Sequence, residues 1–355
     1  MDHPFTTPPE LARPLDDLRL RHGLPGLAWG VTALDGSLLA GAAGRRRADQ
    51  SDALSVHDRL HLGSCTKPMT ATLLATLVPD VLTWDTPLTD VFGAAEVHPA
   101  YHPATLAHLL SHTSGLPPFE ETEHFEDAPG PGGNSWGVRD AFARHALRQT
   151  PWAEIGTYRY SNAAFGVAAV MAERCTGTRW EDLMQERVFG PLGLGSAGFG
   201  WPARTNPQEP WGHQREGGPW VPHDPHDAYQ LHPGIGPAGD VHMSVLDFTV
   251  FARDHLRGLH GQGRLLPDTA YQRLHTPFVP GGRAGFGWGV SQYRGRRASS
   301  HSGSADTFLA LLLVLPDEPY AFVVVTNAAG DAAEAGTREA LGQLVTAFTD
   351  ARVQP

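Results

Sequence analysis

Lysine is almost absent from this sequence. Its 355 residues include 27 basic side chains, of which 26 are arginine and one is lysine, Lys67. A guanidinium stays protonated in proteins, whereas the amine of a lysine can lose its proton when its surroundings lower its pKa. The single lysine is therefore a candidate for a position where a removable proton has a chemical use.

Cysteine, net positive charge and long apolar runs are also scarce. Two cysteines, Cys65 and Cys175, cannot build a disulfide framework, which fits a reducing compartment. The net charge of −11 argues against a nucleic-acid partner. No apolar run reaches the roughly 18 residues of a membrane-spanning helix. We therefore expect a soluble protein with no nucleic-acid or membrane partner.

The first twenty residues, MDHPFTTPPELARPLDDLRL, lack the basic region and apolar stretch of a secretory signal. This predicts a cytoplasmic protein, or a secreted one if the N-terminus has been trimmed. Hydrophobic residues make up 41% of the chain and charged residues 18%, which is typical of a globular domain with a large core.

The apolar pattern predicts strands at both ends of the chain and helices between them. Predicted strands cover 26–32, 37–44, 286–293, 307–316 and 320–327, and predicted helices cover 9–22, 69–78, 104–111, 137–149, 162–176, 179–187 and 332–349. This predicts an α+β fold with one antiparallel sheet flanked by helices. We divide it into a discontinuous α/β sheet subdomain, 1–63 and 241–355, and a mostly helical subdomain, 64–240.

The lone lysine follows a serine by three residues, in the stretch HLGSCTKPMT. A serine hydroxyl is a poor nucleophile until a nearby base takes its proton, and a neutral lysine can be that base. On a helix Ser64 and Lys67 share one face, with their Cβ atoms about 5–6 Å apart. Pro68 places the start of the helix near Cys65, where the helix dipole disfavours a cation. Alone, this spacing is also that of a capping serine and a surface lysine.

Two further stretches carry polar groups next to regular structure. Tyr160-Ser161-Asn162 precedes a predicted helix, and His301-Ser302-Gly303-Ser304 precedes an apolar strand. Small residues at 302–304 allow a strand backbone to approach a ligand closely. Taken separately, these stretches also fit a capped helix with a buried tyrosine and a simple turn.

Together the three motifs, in this order and at these separations, resemble the penicillin-recognising serine hydrolases. The flanking stretches LAHLLSHTSGL (106–116), residues 155–199 and GPAGDVHMSVLDFTVFAR (236–253) are similar to the branch that includes class C β-lactamases, D-peptidases and related esterases. The resemblance covers about residues 24–345. It implies a β-lactamase/transpeptidase-like fold with a cleft between sheet and helical subdomain.

The resemblance also implies roles for individual residues. Ser64 would attack a carbonyl and become acylated, while Lys67 and Tyr160 would move its proton. Asn162 would hydrogen-bond the substrate's amide, and His301 and Gly303 would line the cleft, with His301 on the edge strand. The N–H groups of Ser64 and Ser304 would form an oxyanion hole. No cofactor and no metal are implied, and the partner is a small ester, amide or peptide-like substrate.

Two residues depart from expectations or invite misreading. Many members of the family carry lysine where this chain has His301, and a permanent cation there engages a substrate carboxylate. Histidine is mostly neutral at cytosolic pH, which weakens the case for β-lactams as preferred substrates. Cys65 lies inside the nucleophile motif, but we interpret it as packing on the far side of the helix.

Other sites compete with Ser64. GNSWG (133–137) matches the G-x-S-x-G elbow around Ser135, but no apolar strand precedes it. The histidines suggest a metal site, with candidates His98, His102, His108, His112 and the stretch HDPHD (223–227). These lack the spacing of known zinc motifs, so we interpret them as loop and cleft residues.

The sequence leaves the reaction open. The same acyl-enzyme on Ser64 serves hydrolysis of an ester or amide and acyl transfer to an acceptor other than water, and a non-catalytic binder could keep the fold. The loops 115–136 and 198–238 are expected to shape the cleft. Their aromatic residues, Trp136, Trp201, Trp211, Trp220 and Tyr229, predict an apolar, partly covered site.

Overall fold

Strands from both ends of the chain form one antiparallel sheet, as predicted. The computed structural model describes residues 9–130, 132, 134–215, 217–227 and 230–350. The strands of this sheet are β1 (Gly26–Ala33), β2 (Leu38–Gly44), β8 (Gly289–Tyr293), β9 (Arg296–Ser304), β10 (Leu309–Val314) and β11 (Tyr320–Thr326). Their order is β2-β1-β11-β10-β9-β8, so the N-terminal hairpin pairs with the last strand of the chain.

The sheet is covered on both faces, which explains its nearly continuous apolar strands. Val323 and Val325 belong to the larger core, whereas Phe322 and Val324 belong to a second core on the opposite face. Helices α1 (Pro9–His22) and α13 (Asp331–Thr349) cover the second core. Helix α11 (Val245–Leu259) packs on β1 and β11 from the other side.

Helix α11 and the short α12 (Asp268–Leu274) were not expected from the sequence. A signal for α11 was present, because Ser244 caps the helix by accepting the N–H of Asp247. The helix lies so close to β1 that a Cβ on Gly30 would stand 1.9 Å from the hydroxyl oxygen of Thr249. Glycine at position 30 therefore allows this contact.

The segment between the two parts of the sheet is mainly helical. Its helices are α2 (Thr66–Thr76), α3 (Leu88–Phe92), α4 (Leu106–Leu110), α5 (Ser135–Arg148), α6 (Asn162–Thr176), α7 (Trp180–Met184), α8 (Gly190–Leu192), α9 (Pro202–Thr205) and α10 (Gly236–Gly239). Helix α7 continues as a π-helical turn, Gln185–Phe189. In the described part of the chain, none of the helices has the length and apolar character needed to cross a bilayer.

Among the described residues, five short strands form two small sheets beside the main one. Strands β3 (Arg59–His61), β4 (Gly198–Phe199) and β7 (Val241–Ser244) form a small sheet in the order β3-β7-β4, and β5 (His213–Gln214) pairs with β6 (Val221–Pro222). The division into subdomains at residues 63 and 241 stays a prediction. Its outermost residues, 1–8 and 351–355, lie outside the described part.

The position of His301 differs from the prediction. The edge strand of the sheet is β8, because residues 289–293 pair with β9, so His301 does not lie on the edge strand. This pairing ends at Ser300, however, while β9 continues to pair with β10 up to Ser304. The described ladders thus leave the 301–304 segment of β9 unpaired on its β8 side.

Candidate active site

Ser64 lies on a tight turn pressed against β9. The turn, Gly63–Cys65, follows β3 and leads directly into α2. Gly63 has φ +50°, and a Cβ there would lie 2.5 Å from the carbonyl oxygen of Ser304. A Cβ on Gly303 would lie 2.0 Å from the carbonyl oxygen of Leu62 and 2.7 Å from the nitrogen of Ser64. Both glycines are needed for the two backbones to meet.

The hydroxyl of Ser64 is held by two side chains that differ in chemistry. The amine of Lys67 donates to Ser64 Oγ at 3.0 Å, and the hydroxyl of Tyr160 donates to the same atom at 2.9 Å. Lys67 Nζ also donates to Asn162 Oδ1 at 2.7 Å and to the carbonyl oxygen of Ala238 at 2.9 Å. Ser64, Lys67, Tyr160 and Asn162 therefore form one hydrogen-bonded group.

The start of α6 positions Tyr160 and Asn162. Ser161 caps the helix by accepting the N–H of Ala164, and its hydroxyl donates to the carbonyl oxygen of Pro117. The side-chain amide of Asn162 donates to the carbonyl oxygen of Phe119, which leaves Oδ1 to accept from Lys67. The stretch Tyr160-Ser161-Asn162 thus combines a helix cap with two side chains facing Ser64.

Burial sets the protonation of this group. Lys67 is 0% exposed, and no carboxylate in the described part of the chain hydrogen-bonds to it. Burial lowers the pKa of Lys67 to about 7, although the charge of Glu120 acts in the opposite direction. Burial raises the pKa of Tyr160, opposed by its hydrogen bond to Ser64. Near neutral pH the amine is therefore partly neutral while the phenol keeps its proton.

His301 and Cys65 lie next to this group. Burial lowers the pKa of His301 to about 3, and the charge of Lys67 adds to this effect, so its imidazole is neutral. His301 Nδ1 lies 2.7 Å from the carbonyl oxygen of Ser302. Cys65 is fully buried, its Sγ lies 3.5 Å from the carbonyl oxygen of His301, and burial raises the pKa of the thiol. It is therefore an un-ionised packing residue.

His112 lies beside Tyr160, a contact that the sequence did not predict. Its ring lies 4.4 Å from the ring of Tyr160, measured between centroids, and its Nδ1 accepts the N–H of Ser161 at 3.1 Å. Burial lowers the pKa of His112 well below its usual value, with further contributions from Lys67 and His301. The sequence identified His112 only as one of several loop and cleft histidines, because its contact with Tyr160 depends on tertiary structure.

A cavity of about 670 Å³, called here the acidic pocket, opens beside Ser64. Its wall includes Tyr160 and Asn162 together with residues from the two long loops, the end of β9 and the turn after it: Glu120, Thr122, Phe125, Gln230, Leu231, His232, Ile235, Ser304 and Asp306. Two carboxylates, Glu120 and Asp306, line it, and no arginine or lysine does so among the described residues. The pocket therefore favours a positively charged group over an anion.

The loops 115–136 and 198–238 shape this pocket as expected, but the tryptophans do not line it. Trp201 packs against His61, Trp211 lies under Arg47, and Trp220 donates to the carbonyl oxygen of Gly23. Trp136 is also absent from the described wall, and Tyr229 lies outside the described residues. The expected aromatic cover is therefore missing from the described part of the pocket.

The competing sites are dispersed. Ser135 is the first residue of α5, which Asn134 caps, and the described element directly before it is a short 3₁₀ helix, Thr122–Phe125, rather than a strand, while Gly133 lies outside the described residues. His98 and His108 serve as helix caps, and His102 lies 3.1 Å from the carbonyl oxygen of Val97. In HDPHD, the side chain of Asp224 accepts the backbone N–H of His226. In the described chain, no group of three or more metal-ligating side chains converges.

Comparisons with known proteins agree with this geometry. "Penicillin-binding protein 4" of Amycolatopsis lactamdurans is 28% identical over 93% of this chain and 88% of its own length. "D-aminopeptidase" of Cereibacter sphaeroides is 27% identical over 89% of this chain, which spans only 59% of that protein.

Solved structures show the same fold. The D-amino acid amidase of Ochrobactrum anthropi SV3 superposes with a TM-score of 0.78 at 21% identity, covering 97% of this chain and 99% of its own. The octameric penicillin-binding protein homologue of Pyrococcus abyssi gives 0.77 at 22% identity, over 95% of this chain and 77% of its own. The family model described as Beta-lactamase matches residues 10–347. This chain therefore belongs to the Beta-lactamase family.

Proposed function

We propose that this protein is a serine hydrolase that cleaves amide bonds of substrates with a free amino group, through an acyl-enzyme on Ser64. The observation that carries this proposal is the contact of Ser64 Oγ with both Lys67 Nζ, at 3.0 Å, and Tyr160 OH, at 2.9 Å. One partner is an amine that gives up its proton near neutral pH, and the other is a phenol that keeps it. A base and an acid therefore contact the same nucleophile.

The reaction has two halves. Neutral Lys67 accepts the proton of Ser64 while Ser64 Oγ bonds to the substrate's carbonyl carbon. Tyr160 then gives a proton to the leaving nitrogen as the carbon–nitrogen bond breaks, and recovers one from Lys67. In the second half, water attacks the acyl carbon, and its proton passes through the same two side chains to Ser64 Oγ as the ester bond to Ser64 breaks and a carboxylic acid leaves. The N–H groups of Ser64 and Ser304 stabilise the negative oxygen in both halves.

The acidic pocket supports a cationic acyl group. Asn162 lies in its wall and can accept from or donate to the substrate near the scissile bond, while Glu120 and Asp306 favour an ammonium. Names of relatives point the same way, since they include a D-aminopeptidase and a D-amino acid amidase. We therefore propose aminoacyl amides and peptides with a D-residue as substrates.

A substrate panel tests this proposal. D- and L-aminoacyl p-nitroanilides, their N-acetylated forms, p-nitrophenyl esters and nitrocefin would be assayed with wild type, Ser64→Ala and Ser135→Ala. We expect highest kcat/KM for a D-aminoacyl anilide with a free amino group, and loss of turnover and of fluorophosphonate labelling in Ser64→Ala alone. Preference for the N-acetylated or anionic substrates would contradict the proposed acyl group. Labelling that survives in Ser64→Ala would contradict the nucleophile.

Acyl transfer shares the first half of this reaction. Adding an amine or alcohol acceptor to the same assay separates the two outcomes, because hydrolysis gives only the free acid. Accumulation of the transferred product at low acceptor concentration would favour the transferase alternative.

A further inference from the structure

A second cavity, of about 350 Å³, lies on the other side of the catalytic group and is called here the Arg283 pocket. Its described wall is formed by residues that follow α4, precede α6, precede or begin β8, or lie on β9: His112, Tyr158, Tyr160, Arg283, Ala284, Gly287, Trp288, Gly289, Ser300, His301 and Ser302. Among the described residues, Tyr160 alone lines both this cavity and the acidic pocket. The proposed proton donor to the leaving group thus separates two cavities.

The Arg283 pocket has the opposite charge to the acidic pocket. Arg283 is its one permanently charged side chain, and no aspartate or glutamate occurs in its described wall. His112 and His301 are neutral, because burial lowers the pKa of both. Arg283 is exposed and forms no ion pair with the described residues. It is therefore a cation that is available to a ligand.

The backbone fixes this cavity relative to Ser64. The carbonyl oxygen of Arg283 accepts the N–H of Val290 on β8 at 2.8 Å. A Cβ on Gly287 would stand 2.8 Å from the carbonyl oxygen of Lys67, so this part of the cavity wall packs directly on α2. The N–H of Gly287 donates to the carbonyl oxygen of Leu110. The cavity is thus attached to the same helix that carries the proposed base.

The order of the two cavities follows from the proposed reaction. The acyl group lies with Asn162 in the acidic pocket, and the leaving nitrogen must lie at the hydroxyl of Tyr160 to receive its proton. The rest of the leaving group then extends into the Arg283 pocket. At about 30 Å³ for each water molecule, this cavity of about 350 Å³ holds roughly twelve waters, which is room for one amino-acid residue.

We propose that Arg283 binds the carboxylate of the leaving amino acid, so that the substrate is a dipeptide with free amino and carboxyl ends. The ammonium lies in the acidic pocket and the carboxylate at the guanidinium, which can donate two parallel hydrogen bonds to it. The carbon–nitrogen bond breaks with proton transfer to nitrogen, a free amino acid leaves, and water releases the second amino acid from Ser64. This inference rests on the proposed function.

Three substrates with one shared acyl group test the inference: the aminoacyl-alanine with a free carboxylate, its C-terminal amide, and the aminoacyl p-nitroanilide. The readout is the ratio of kcat/KM for the free acid to that for the blocked amide. We expect a ratio of about ten to one hundred in wild type, from one charge-assisted contact, and a ratio near one in Arg283→Gln. Arg283→Lys should recover part of it, because the charge returns without the planar fork.

Arg338→Gln is the matched control, since it removes one exposed arginine on α13, outside the described walls of both cavities. It should keep the wild-type ratio. If wild type cleaves the anilide but does not prefer the free acid, or if Arg283→Gln keeps the preference, the inference is wrong and the proposed function stands. If wild type cleaves none of the three, the proposed function is wrong and this inference falls with it.

Discussion

Among the described residues of the helical part, two basic side chains are almost completely buried, and their surroundings are opposite. Arg139 on α5 is 1% exposed, and Lys67 on α2 is 0% exposed. Arg139 donates to Glu173 Oε1 at 2.7 Å and to Glu181 Oε2 at 2.9 Å. Burial acts to lower the pKa of Arg139, but the two carboxylates outweigh it and raise the pKa. This charge is fixed and compensated.

Lys67 receives no such compensation. Its described hydrogen-bond partners are the neutral oxygens of Ser64, Asn162 and Ala238, and Tyr160 presents its ring 4.6 Å from Nζ. Hydrogen bonds to neutral oxygens stabilise an ammonium less than a carboxylate does, so they do not offset the effect of burial on the pKa of Lys67. The comparison shows that burial alone does not decide what a cation does. The carboxylate partners of Arg139 keep it charged, whereas the lack of a carboxylate hydrogen-bond partner among the described residues leaves Lys67 with a lowered pKa, as our proposal of a base requires.

Lys67→Arg is the substitution with the largest expected effect. It places a permanent cation, like that of Arg139, at position 67 and removes the amine that we propose as the base. We expect kcat/KM to fall by about 10² to 10⁴, the usual range for loss of a general base. The measurement is turnover of the best panel substrate, with fluorophosphonate labelling of Ser64 as a second readout. Full activity in Lys67→Arg would show that the proton of Ser64 leaves by another route.

Arg139→Met tests the other half of the comparison. It leaves Glu173 and Glu181 without their partner, and breaking a buried pair costs about 3–5 kcal/mol of the free energy of unfolding. Chemical denaturation measures this loss. Arg144→Met on the same helix is the control, since Arg144 is 40% exposed and its pairs with Asp140 and Glu96 lie at the surface. The control should cost less than about 1 kcal/mol. Equal losses would mean that burial does not distinguish the two arginines.

The sequence predicted the parts of this site that local chemistry determines. Lys67 stood out because the chain otherwise uses arginine, and its spacing from Ser64 placed both on one helical face. The apolar runs near both ends of the chain predicted the strands there and the sheet that they form. Glu120, His112 and Arg283 could not be found this way, because each acts through a neighbour distant in sequence. The sequence also did not predict that the pairing between β8 and β9 ends at Ser300, because the register between the two strands determines where it ends.

The pH dependence of stability sharpens the comparison further. In the folded state the pKa of Lys67 is about 7, whereas an unfolded lysine titrates near 10.4. Between these values the unfolded state binds the extra proton, so stability gains from rising pH. We expect the free energy of unfolding of wild type, minus that of Lys67→Met, to increase by about 2 kcal/mol from pH 7 to pH 9. The subtraction removes other titrating groups, and a constant or falling difference would contradict the lowered pKa.

The smallest expected effect concerns the one carboxylate that does influence Lys67. Glu120 raises the pKa of Lys67 across solvent-exposed space, so Glu120→Gln should move the acidic limb of the kcat/KM profile to lower pH by about 0.2 to 0.7 of a unit. An acetate ester is the suitable substrate, because it has no ammonium for Glu120 to bind. Glu123→Gln, an exposed neighbour outside the described wall of the acidic pocket, is the matched control and should leave the limb in place.

The shift caused by Glu120→Gln should also shrink at high salt, because exposed charges are screened. If the acidic limb moves equally in both variants, the change in net charge causes the shift. If it moves only in Glu120→Gln, this carboxylate is the group that keeps the pKa of Lys67 from falling further.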